Sequence, residues 1–419
     1  MLHGMRINNQ SMGVYMKTVA ILGTLDTKGP EYKFLSECIE KAGCKTFVID
    51  AGIKGVPFFT PDICREQVAE AEGISLQAVL EKDDRGFAIE KMRNGAAKIV
   101  CELYSQGRFD GIISLGGTAG TTIGSFAMQQ LPVGVPKVLV STVASGDTRP
   151  YVGCKDITMM YSVVDIAGLN SISKRIISNA GYAITGMVAN DTEIVDEKPL
   201  VAATMFGVTT PCVNKAREYL EERGYEVLVF HATGTGGRSM EALIEAGFIK
   251  GVLDITTTEW CDELVGGVFS AGSKRLEAAA KHGVVQVVSV GALDMVNFGS
   301  METVPEKFKN RNLYVHNPTV TLMRTTVDEN KRIGELISSK LNSCSNKAVL
   351  MIPLKGVSLI DKPGKPFYGP EENAALFSTL KSEITNPNVE IIELDNEIND
   401  EDFAVAMADK LYKLMGVNQ

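Results

Sequence analysis

The chain has 419 residues, more than one hydrophobic core usually serves, so we expect two or three domains. Its hydrophobic content of 45% and charged content of 22% are those of a globular protein in water, and no apolar run is long enough to cross a membrane. The formal net charge of −9 argues against a general nucleic-acid or acidic-membrane surface.

The amino-terminal half begins with a polar stretch, residues 1–16, for which we predict a disordered extension. Beyond it, strands alternate with helices, which predicts a parallel sheet wound on both faces. The predicted strands cover 17–23, 46–50, 110–115 and part of 133–140, and the predicted helices cover 31–42 and 165–180. A charged helical stretch over 57–103, with helices near 65–72, 76–81 and 86–105, has no counterpart in the other half and is predicted to be an insertion.

The most polar short stretch between two apolar regions covers 190–199, and we place the domain boundary there. It separates a predicted domain over 17–190 from a second over 200–419. The predicted strands of the second domain lie near 201–206, 226–230, 250–255, 284–290, 311–315, 347–352 and 389–393. Its predicted helices lie near 212–223, 238–246, 271–281, 324–342, 371–382 and 403–415.

Two segments at corresponding positions of the two halves share one pattern. Val19-Ala-Ile-Leu-Gly-Thr-Leu-Asp-Thr-Lys-Gly-Pro30 and Val201-Ala-Ala-Thr-Met-Phe-Gly-Val-Thr-Thr-Pro211 each join an apolar run, a glycine, a threonine-bearing loop and a proline that opens a helix. Such a loop directs backbone N–H groups and the positive end of a helix dipole at one place, where an anion can bind. We therefore predict an α/β protein with two doubly wound parallel-sheet, Rossmann-like domains related by internal duplication, the first with the better-equipped phosphate loop.

The loops after the predicted strands are rich in glycine, threonine, serine and aspartate. Because ligands of open parallel sheets bind outside the carboxyl ends of the strands, these loops favour a polar-ligand cleft over plain turn chemistry. The strongest candidate, Gly116-Gly-Thr-Ala-Gly-Thr-Thr122, precedes an apolar helix; the alternative is a helix start that merely packs tightly. It matches neither the P-loop nor the dinucleotide fingerprint. Its candidate phosphate-binding residues are Gly116, Gly117, Thr118, Gly120, Thr121 and Thr122.

The loop Gly23-Thr-Leu-Asp-Thr-Lys-Gly29 supplies further candidates. Gly23, Thr24 and Lys28 are candidate phosphate contacts, and Asp26 could hold Mg²⁺ or a hydroxyl. The alternative is that Asp26 or the following threonine caps the helix while Lys28 is solvated.

Groups for acid–base chemistry are few. In Ser145-Gly-Asp-Thr-Arg149, Ser145 and Arg149 are candidate nucleotide contacts and Asp147 a candidate Mg²⁺ ligand or general base, although Asp147 and Arg149 could equally form a structural pair. His231 and His316 both end predicted strands at loops and are the only plausible imidazole catalysts, with a structural role as the alternative for each. The eight cysteines are scattered without a C-x-x-C pair, which predicts reduced thiols in a cytoplasmic protein.

The combination of four motifs resembles a known family. The motifs are Gly23-Thr-Leu-Asp-Thr-Lys-Gly29, Asp110-Gly-Ile-Ile-Ser-Leu-Gly-Gly-Thr118, Ser145-Gly-Asp-Thr-Arg-Pro-Tyr151 and His316-Asn-Pro-Thr319. Over roughly 17–417 the chain is similar to bacterial and fungal proteins related to the N-terminal, ATP-binding domain of the tomato mosaic virus resistance protein. The resemblance implies two Rossmann-like subdomains, ATP binding, and self-association as a homodimer or other homo-oligomer. Plant members carry a further barrel-type domain, so an activity that needs it would require a separate polypeptide.

Three functions are compatible with these features. In the first, the protein binds ATP, with Mg²⁺ beside it, at the carboxyl-end loops of the first domain, facing a cleft between the domains. In the second, a metabolic enzyme acts on a small acidic or phosphorylated substrate in that cleft. In the third, a non-catalytic interaction module holds ATP as a structural ligand. None of the three expects a nucleic-acid or membrane partner.

Overall fold

The computed structural model describes residues 16–190 and 198–416, and the chain divides into two compact units, Met1–Glu193 and Ile194–Gln419. Apart from Met16, the predicted amino-terminal extension lies outside the described residues, and so does most of the predicted boundary over 190–199. Within the described ranges, no helix is long and apolar enough to span a membrane.

The first unit is built on one parallel sheet. Its strands are β1 (Thr18–Gly23), β2 (Lys45–Asp50), β3 (Gly111–Gly116), β4 (Lys137–Ser141) and β5 (Thr158–Tyr161). Its helices are α1 (Gly29–Lys41), α2 (Arg65–Ala71), α3 (Leu76–Glu81), α4 (Arg85–Ser105), α5 (Thr118–Gln130), α6 (Arg149–Val152) and α7 (Ser171–Ala189). The strand order is β2-β1-β3-β4-β5, and every neighbouring pair is parallel.

Helices cover both faces of this sheet, which confirms the doubly wound prediction. Val19 and Ile21 of β1 pack in a core with α1 and α7, whereas Ala20 and Leu22 pack in a second core with α4 and α5. Successive side chains of a strand point to opposite faces, so a strand covered on both sides needs a continuous apolar run. That requirement explains why all four side chains are fully buried.

The predicted insertion contains one element that the sheet needs and two that it does not. Helix α4 connects β2 to β3 and packs on the sheet, so it is the crossover helix that a parallel pair of strands requires. Helices α2 and α3 are the additional elements, and they precede α4 in the same connection.

The second unit contains two sheets. Its strands are β6 (Leu200–Met205), β7 (Glu226–His231), β8 (Ile249–Thr256), β9 (Val285–Gly291), β10 (Met295–Phe298), β11 (Leu313–Asn317), β12 (Val320–Arg324), β13 (Ala348–Pro353) and β14 (Val389–Leu394). Its α-helices are α8 (Thr210–Glu221), α9 (Thr235–Glu245), α10 (Glu259–Val265), α11 (Ala278–Lys281), α12 (Val327–Asn342), α13 (Pro370–Glu383) and α14 (Glu401–Gly416). Short 3₁₀ turns cover Gly207–Thr209, Met301–Thr303 and Glu306–Phe308.

The larger sheet of the second unit repeats the topology of the first unit. Its six parallel strands have the order β14-β13-β9-β8-β6-β7. Read from the β7 edge, with β6 counted as the first strand, the order is 2-1-3-4-5-6. Its first five positions repeat the order of the first sheet. A shared strand order is what an internal duplication predicts, and both sheets are Rossmann-like.

The smaller sheet was not predicted. The strand expected over 311–315 is β11, and it belongs to an antiparallel three-stranded sheet with the order β10-β12-β11 rather than to the wound sheet. The strands β10 and β12 were missed because each is a short run next to a loop, where period-2 alternation has little length in which to show.

Candidate functional site

A cavity of about 530 Å³ lies at the carboxyl edge of the first sheet. The loops that follow β1, β2 and β3 line it on one side, and the junction of α3 and α4 lines it on the other. In the order β2-β1-β3-β4-β5, the strands β1 and β3 flank the topological switch point, where the connections leave toward opposite faces of the sheet. Ligands of open α/β sheets bind in the crevice that this reversal creates.

The predicted glycine loop after β3 forms part of the cavity wall. A Cβ atom on Gly116 would lie 2.8 Å from Gly120 Cα, and one on Gly120 would lie 3.2 Å from the carbonyl oxygen of Leu115, so these two glycines allow the tight strand-to-helix turn. A Cβ on Gly117 would meet only Thr142 Oγ1, at 3.8 Å. Gly117 therefore leaves room beside the backbone, which is what close approach of a ligand needs.

Two helices begin at this cavity. Gly117 is the N-cap of α5, and Lys28 is the N-cap of α1; neither makes a side-chain capping hydrogen bond. The first-turn amides of a helix have no intrahelical acceptors, and the helix dipole adds positive potential at the same end. Thr24, Thr27, Thr118 and the loop glycines line the same space. The polar side of the cavity is therefore suited to an anionic group.

Asp26 lines the cavity and does not cap α1. Its Oδ2 accepts hydrogen bonds from the backbone amides of Ile53 at 2.9 Å and Lys54 at 2.8 Å. Its side chain is 5% exposed, and its Oδ1 is buried without a hydrogen-bond partner among the described residues. One carboxylate oxygen thus fixes the loop after β2 and lies 3.8 Å from Arg65 Nη1, while the other is buried beside Gly52.

A buried ion pair holds that loop in place. Arg65, in α2, donates from Nε and Nη2 to Asp50 Oδ2 at 2.8 and 2.7 Å, and from Nη1 to the carbonyl oxygens of Lys54 and Gly55 at 3.0 and 3.2 Å. Asp50 Oδ1 accepts from the amides of Leu25 and Gly52. The loops after β1 and β2 are therefore joined through Asp50, and α2 fixes both through Arg65.

Lys28 and Gly23 have different positions in this site. Lys28 lines the cavity, and its ammonium donates to the carbonyl oxygen of Ile166. Gly23 instead packs against Tyr32, because a Cβ there would lie 2.1 Å from the tyrosine ring. The Tyr32 hydroxyl donates to the Leu115 carbonyl and accepts from its amide, and burial raises the pKa of Tyr32 to about 12. Gly23 thus supports the packing of α1 on β3.

Besides Gly23, five of the predicted nucleotide or metal contacts lie outside the cavity wall. Thr121 is buried, with its hydroxyl bonded to Ser141 Oγ at 2.6 Å, and the Thr122 hydroxyl donates to a carbonyl in its own helix. Ser145 is exposed. Asp147 and Arg149 form an exposed bidentate pair at 2.8 and 2.9 Å, and the Arg149 hydrogen bonds lower the pKa of Asp147 to about 2. This geometry matches the structural pair that was the alternative for Asp147 and Arg149.

The candidate catalytic histidines lie in the second unit. His231 ends β7, is exposed, and stacks on Phe206 with ring centroids 5.5 Å apart. His316 lies in β11 of the antiparallel sheet and is exposed. The two imidazoles therefore lie in different sheets, although in the sequence each follows a predicted strand in the same way.

The carboxyl edge of the second wound sheet is filled by its own side chains. Glu259, which is buried, accepts through Oε1 from the amides of Gly234 at 2.7 Å and Gly237 at 3.1 Å, at the start of α9. Its Oε2 accepts from Arg275 Nε at 2.7 Å, and Arg275 makes two further bonds to Asp254, at 2.6 and 2.7 Å. A carboxylate of the protein thus binds the amides at this helix start.

Sequence reasoning missed two parts of the first site. The first part is the pair of Arg65 and Asp50. The sequence signal for it was an arginine at the start of a helical pattern together with an aspartate that ends a buried strand. The other part is the apolar wall from the region of α3 and α4, which contains Val79, Leu80 and Ile89. The sequence analysis placed these residues in a charged helical stretch, and only the fold shows that some of them face open space.

The fold and this site define a class: a two-unit α/β protein with Rossmann-like parallel sheets and an anion-suited cavity at the switch point of the first. The chain belongs to the uncharacterised protein family UPF0261, whose N-terminal domain model matches residues 17–193 and whose C-terminal domain model matches residues 198–415. A UPF0261 protein of Clostridium tetani is 60% identical, with 95% of this chain and 99% of that protein covered. The ToMV resistance protein Tm-1(GCR237) of Solanum lycopersicum is 42% identical over 94% of this chain and 55% of its own length.

Solved structures resemble the chain only distantly. They include an S. aureus MnaA–UDP complex, 11% identical with a TM-score of 0.20, covering 65% of this chain and 79% of that one. They also include Methanocaldococcus jannaschii UDP-GlcNAc 2-epimerase in complex with UDP-GlcNAc and UDP, 11% identical with a TM-score of 0.24, covering 95% of this chain and all of that one. Scores this low carry no argument about the ligand of this chain.

Proposed function

We propose that this protein binds ATP in the cavity at the carboxyl edge of the first sheet. The observation that carries the proposal is the convergence, at one switch point, of the Gly116–Gly120 loop and the starts of α1 and α5. The triphosphate lies along the open backbone at Gly117 and the first-turn amides of α5, and Lys28 adds a positive charge. Thr24 and Thr118 contribute hydroxyl groups.

Magnesium fits the same cavity. A triphosphate beside Asp26 would place phosphate oxygens near a buried carboxylate whose Oδ1 has no hydrogen-bond partner among the described residues. Mg²⁺ in nucleotide sites is commonly held by one or two carboxylates together with phosphate oxygens and water, and it would offset the repulsion between the two anions. Asp26, rather than Asp147, is therefore the protein ligand in this proposal.

The proposal is one of binding and specifies no reaction. Asp147, His231 and His316, the candidates for proton transfer, do not line this cavity in the described residues. The self-association and cytoplasmic location expected from the sequence remain part of the proposal, and both can be measured independently of the nucleotide.

Isothermal titration calorimetry with ATP and Mg²⁺ tests the proposal. Lys28→Ala and Gly117→Val should each weaken binding by roughly tenfold or more, because one removes a point charge and the other places a branched side chain where phosphate would approach. Lys33→Ala, on the exposed face of α1, and Gly207→Val, at a glycine with open space around it, are the matched controls. Unchanged affinity in both site variants would remove the assignment, and the thermal melting curve of each variant shows whether it is folded.

A further inference from the structure

The cavity has a second wall that differs in chemistry from the phosphate side. Ile53 from the loop after β2, Val79 and Leu80 from α3, and Ala88 and Ile89 from α4 supply aliphatic surface. Leu80 is 37% exposed although it belongs to a helix with a buried side, and Ile89 is half-buried. An apolar wall opposite an anion-binding loop suits a ligand that has a flat, apolar ring at one end and phosphates at the other.

Several backbone groups next to this wall already make hydrogen bonds. The amides of Ile53 and Lys54 donate to Asp26, and the amide of Gly52 donates to Asp50 at 2.8 Å. The carbonyl oxygens of Lys54 and Gly55 accept from Arg65. A base lying on the wall therefore finds these three amide donors already used.

The polar side chains at the mouth of the cavity are also poorly placed to recognise a base. Asp84 caps α4 by accepting from the amide of Phe87 at 3.0 Å. Lys54 Nζ lies 4.0 Å from Asp83 Oδ1, and these side chains are 77% and 89% exposed. Arg85 is exposed too. Discrimination of one base from another by several orders of magnitude needs fixed, buried hydrogen-bonding groups, whereas an apolar pocket separates ligands mainly by size.

We infer that the cavity selects nucleoside triphosphates as a class and discriminates weakly among their bases, with the ring against the wall formed by Ile53, Leu80 and Ile89. This inference rests on the proposed ATP site and adds the ligand class to it. The loop after β3 and Lys28 bind the phosphates, and the wall contributes through burial of the ring rather than through base-specific hydrogen bonds.

Calorimetry on the full chain with Mg²⁺ and four ligands, ATP, GTP, UTP and inorganic tripolyphosphate, tests the inference. The three nucleotides should bind within about tenfold of one another, and tripolyphosphate should bind roughly tenfold or more weakly than ATP because it buries no ring. Leu80→Ala and Ile89→Ala should each weaken all three nucleotides by about threefold to tenfold and leave tripolyphosphate unchanged. Ile74→Ala is the matched control, since Ile74 is half-buried against the same core but does not line the cavity.

The outcomes separate this inference from the proposal beneath it. ATP binding more than about a hundredfold tighter than GTP and UTP would overturn weak base discrimination while leaving the ATP site standing. Tripolyphosphate binding as tightly as ATP, or wall variants without effect, would overturn the role of the wall. If none of the four ligands binds, the proposed function itself fails. Because Leu80 is exposed, the Leu80→Ala result does not depend on a variant that is at risk of unfolding.

Discussion

Replacing Arg65 with methionine should destabilise the first unit more than any surface change in it. The guanidinium makes four hydrogen bonds of 2.7–3.2 Å, two to Asp50 and two to carbonyl oxygens of the loop after β2. The side chains of Arg65 and Asp50 are 4% and 1% exposed, so the variant strands the buried Asp50 carboxylate. Asp26 Oδ2, 3.8 Å from Arg65 Nη1, also loses its ion-pair partner. Removing one partner of a buried ion pair typically costs about 3–5 kcal/mol, a large fraction of the 5–15 kcal/mol that stabilises a typical domain.

The cost should come mainly from the stranded charge. Lys54 and Gly55 are exposed, so water can replace Arg65 at their carbonyl oxygens, whereas the buried Asp50 Oδ2 loses both donors. Combining Arg65→Met with Asp50→Asn removes that charge, and the double variant should therefore be less destabilised than the sum of the two single variants, by about 2 kcal/mol. Methionine keeps much of the arginine stem's volume, which limits any cavity left behind.

Urea denaturation, monitored by hydrogen exchange with mass spectrometry, can measure the free energy of unfolding of each unit separately. Peptides from β1 report on the first sheet, and peptides from β9 report on the wound sheet of the second unit. Lys33→Met is the control, since Lys33 lies 3.9 Å from Glu37 on the surface of α1 and an exposed pair contributes under about 1 kcal/mol. A loss below about 1 kcal/mol for Arg65→Met, or strict additivity with Asp50→Asn, would refute the reasoning.

Two predictions concern the second unit. Burial raises the pKa of Asp262 from its ordinary 3.8 to about 7, and that of Asp294 to about 7 as well. The folded state then keeps protons that the unfolded chain releases near pH 4, so stability falls as pH rises from about 4 to about 7, by up to about 4 kcal/mol for Asp262. Asp262→Asn should remove part of this slope in urea midpoints measured from pH 4.5 to 8, and a slope equal to that of the wild type would contradict the assignment. Equilibrium dialysis should give one ATP per chain, since Glu259 already occupies the amides of Gly234 and Gly237; two equivalents would contradict this interpretation.

The sequence allowed most of the wound elements of the first unit to be predicted because their signals are local, but the short edge strand β5 was not predicted. Continuous apolar runs marked β1 and β3, and the helical pattern over 65–105 matched α2, α3 and α4 closely. The tight turn of the glycine loop could also be predicted, since Gly116 and Gly120 meet a steric requirement that other residues cannot meet. The sequence was thus sufficient to predict structure wherever one residue and its near neighbours in the chain determine it.

The direction of individual side chains could not be predicted in the same way. Thr121 and Thr122 belong to the predicted loop motif, yet as members of α5 they point their hydroxyls at Ser141 and at a carbonyl in the same helix. Asp26 finds its partners 27 and 28 residues further along the chain, in a loop whose path is set by Arg65. Such contacts depend on how separate elements pack together, and no spacing rule in the sequence encodes them.

The contrast between the two sheets shows what the shared topology does and does not determine. Both sheets begin with the order 2-1-3-4-5, so each has a switch point between its first and third strands. After its third strand the first sheet has Gly116 and Gly117, which carry no side chain, and the cavity stays open. The second sheet has Thr257, Thr258 and Glu259 there, and the Glu259 carboxylate binds the amides at the start of α9. The shared topology thus leaves the local chemistry open: the residues after the third strand leave a cavity in the first sheet, and in the second they supply a buried carboxylate that binds amides at a helix start.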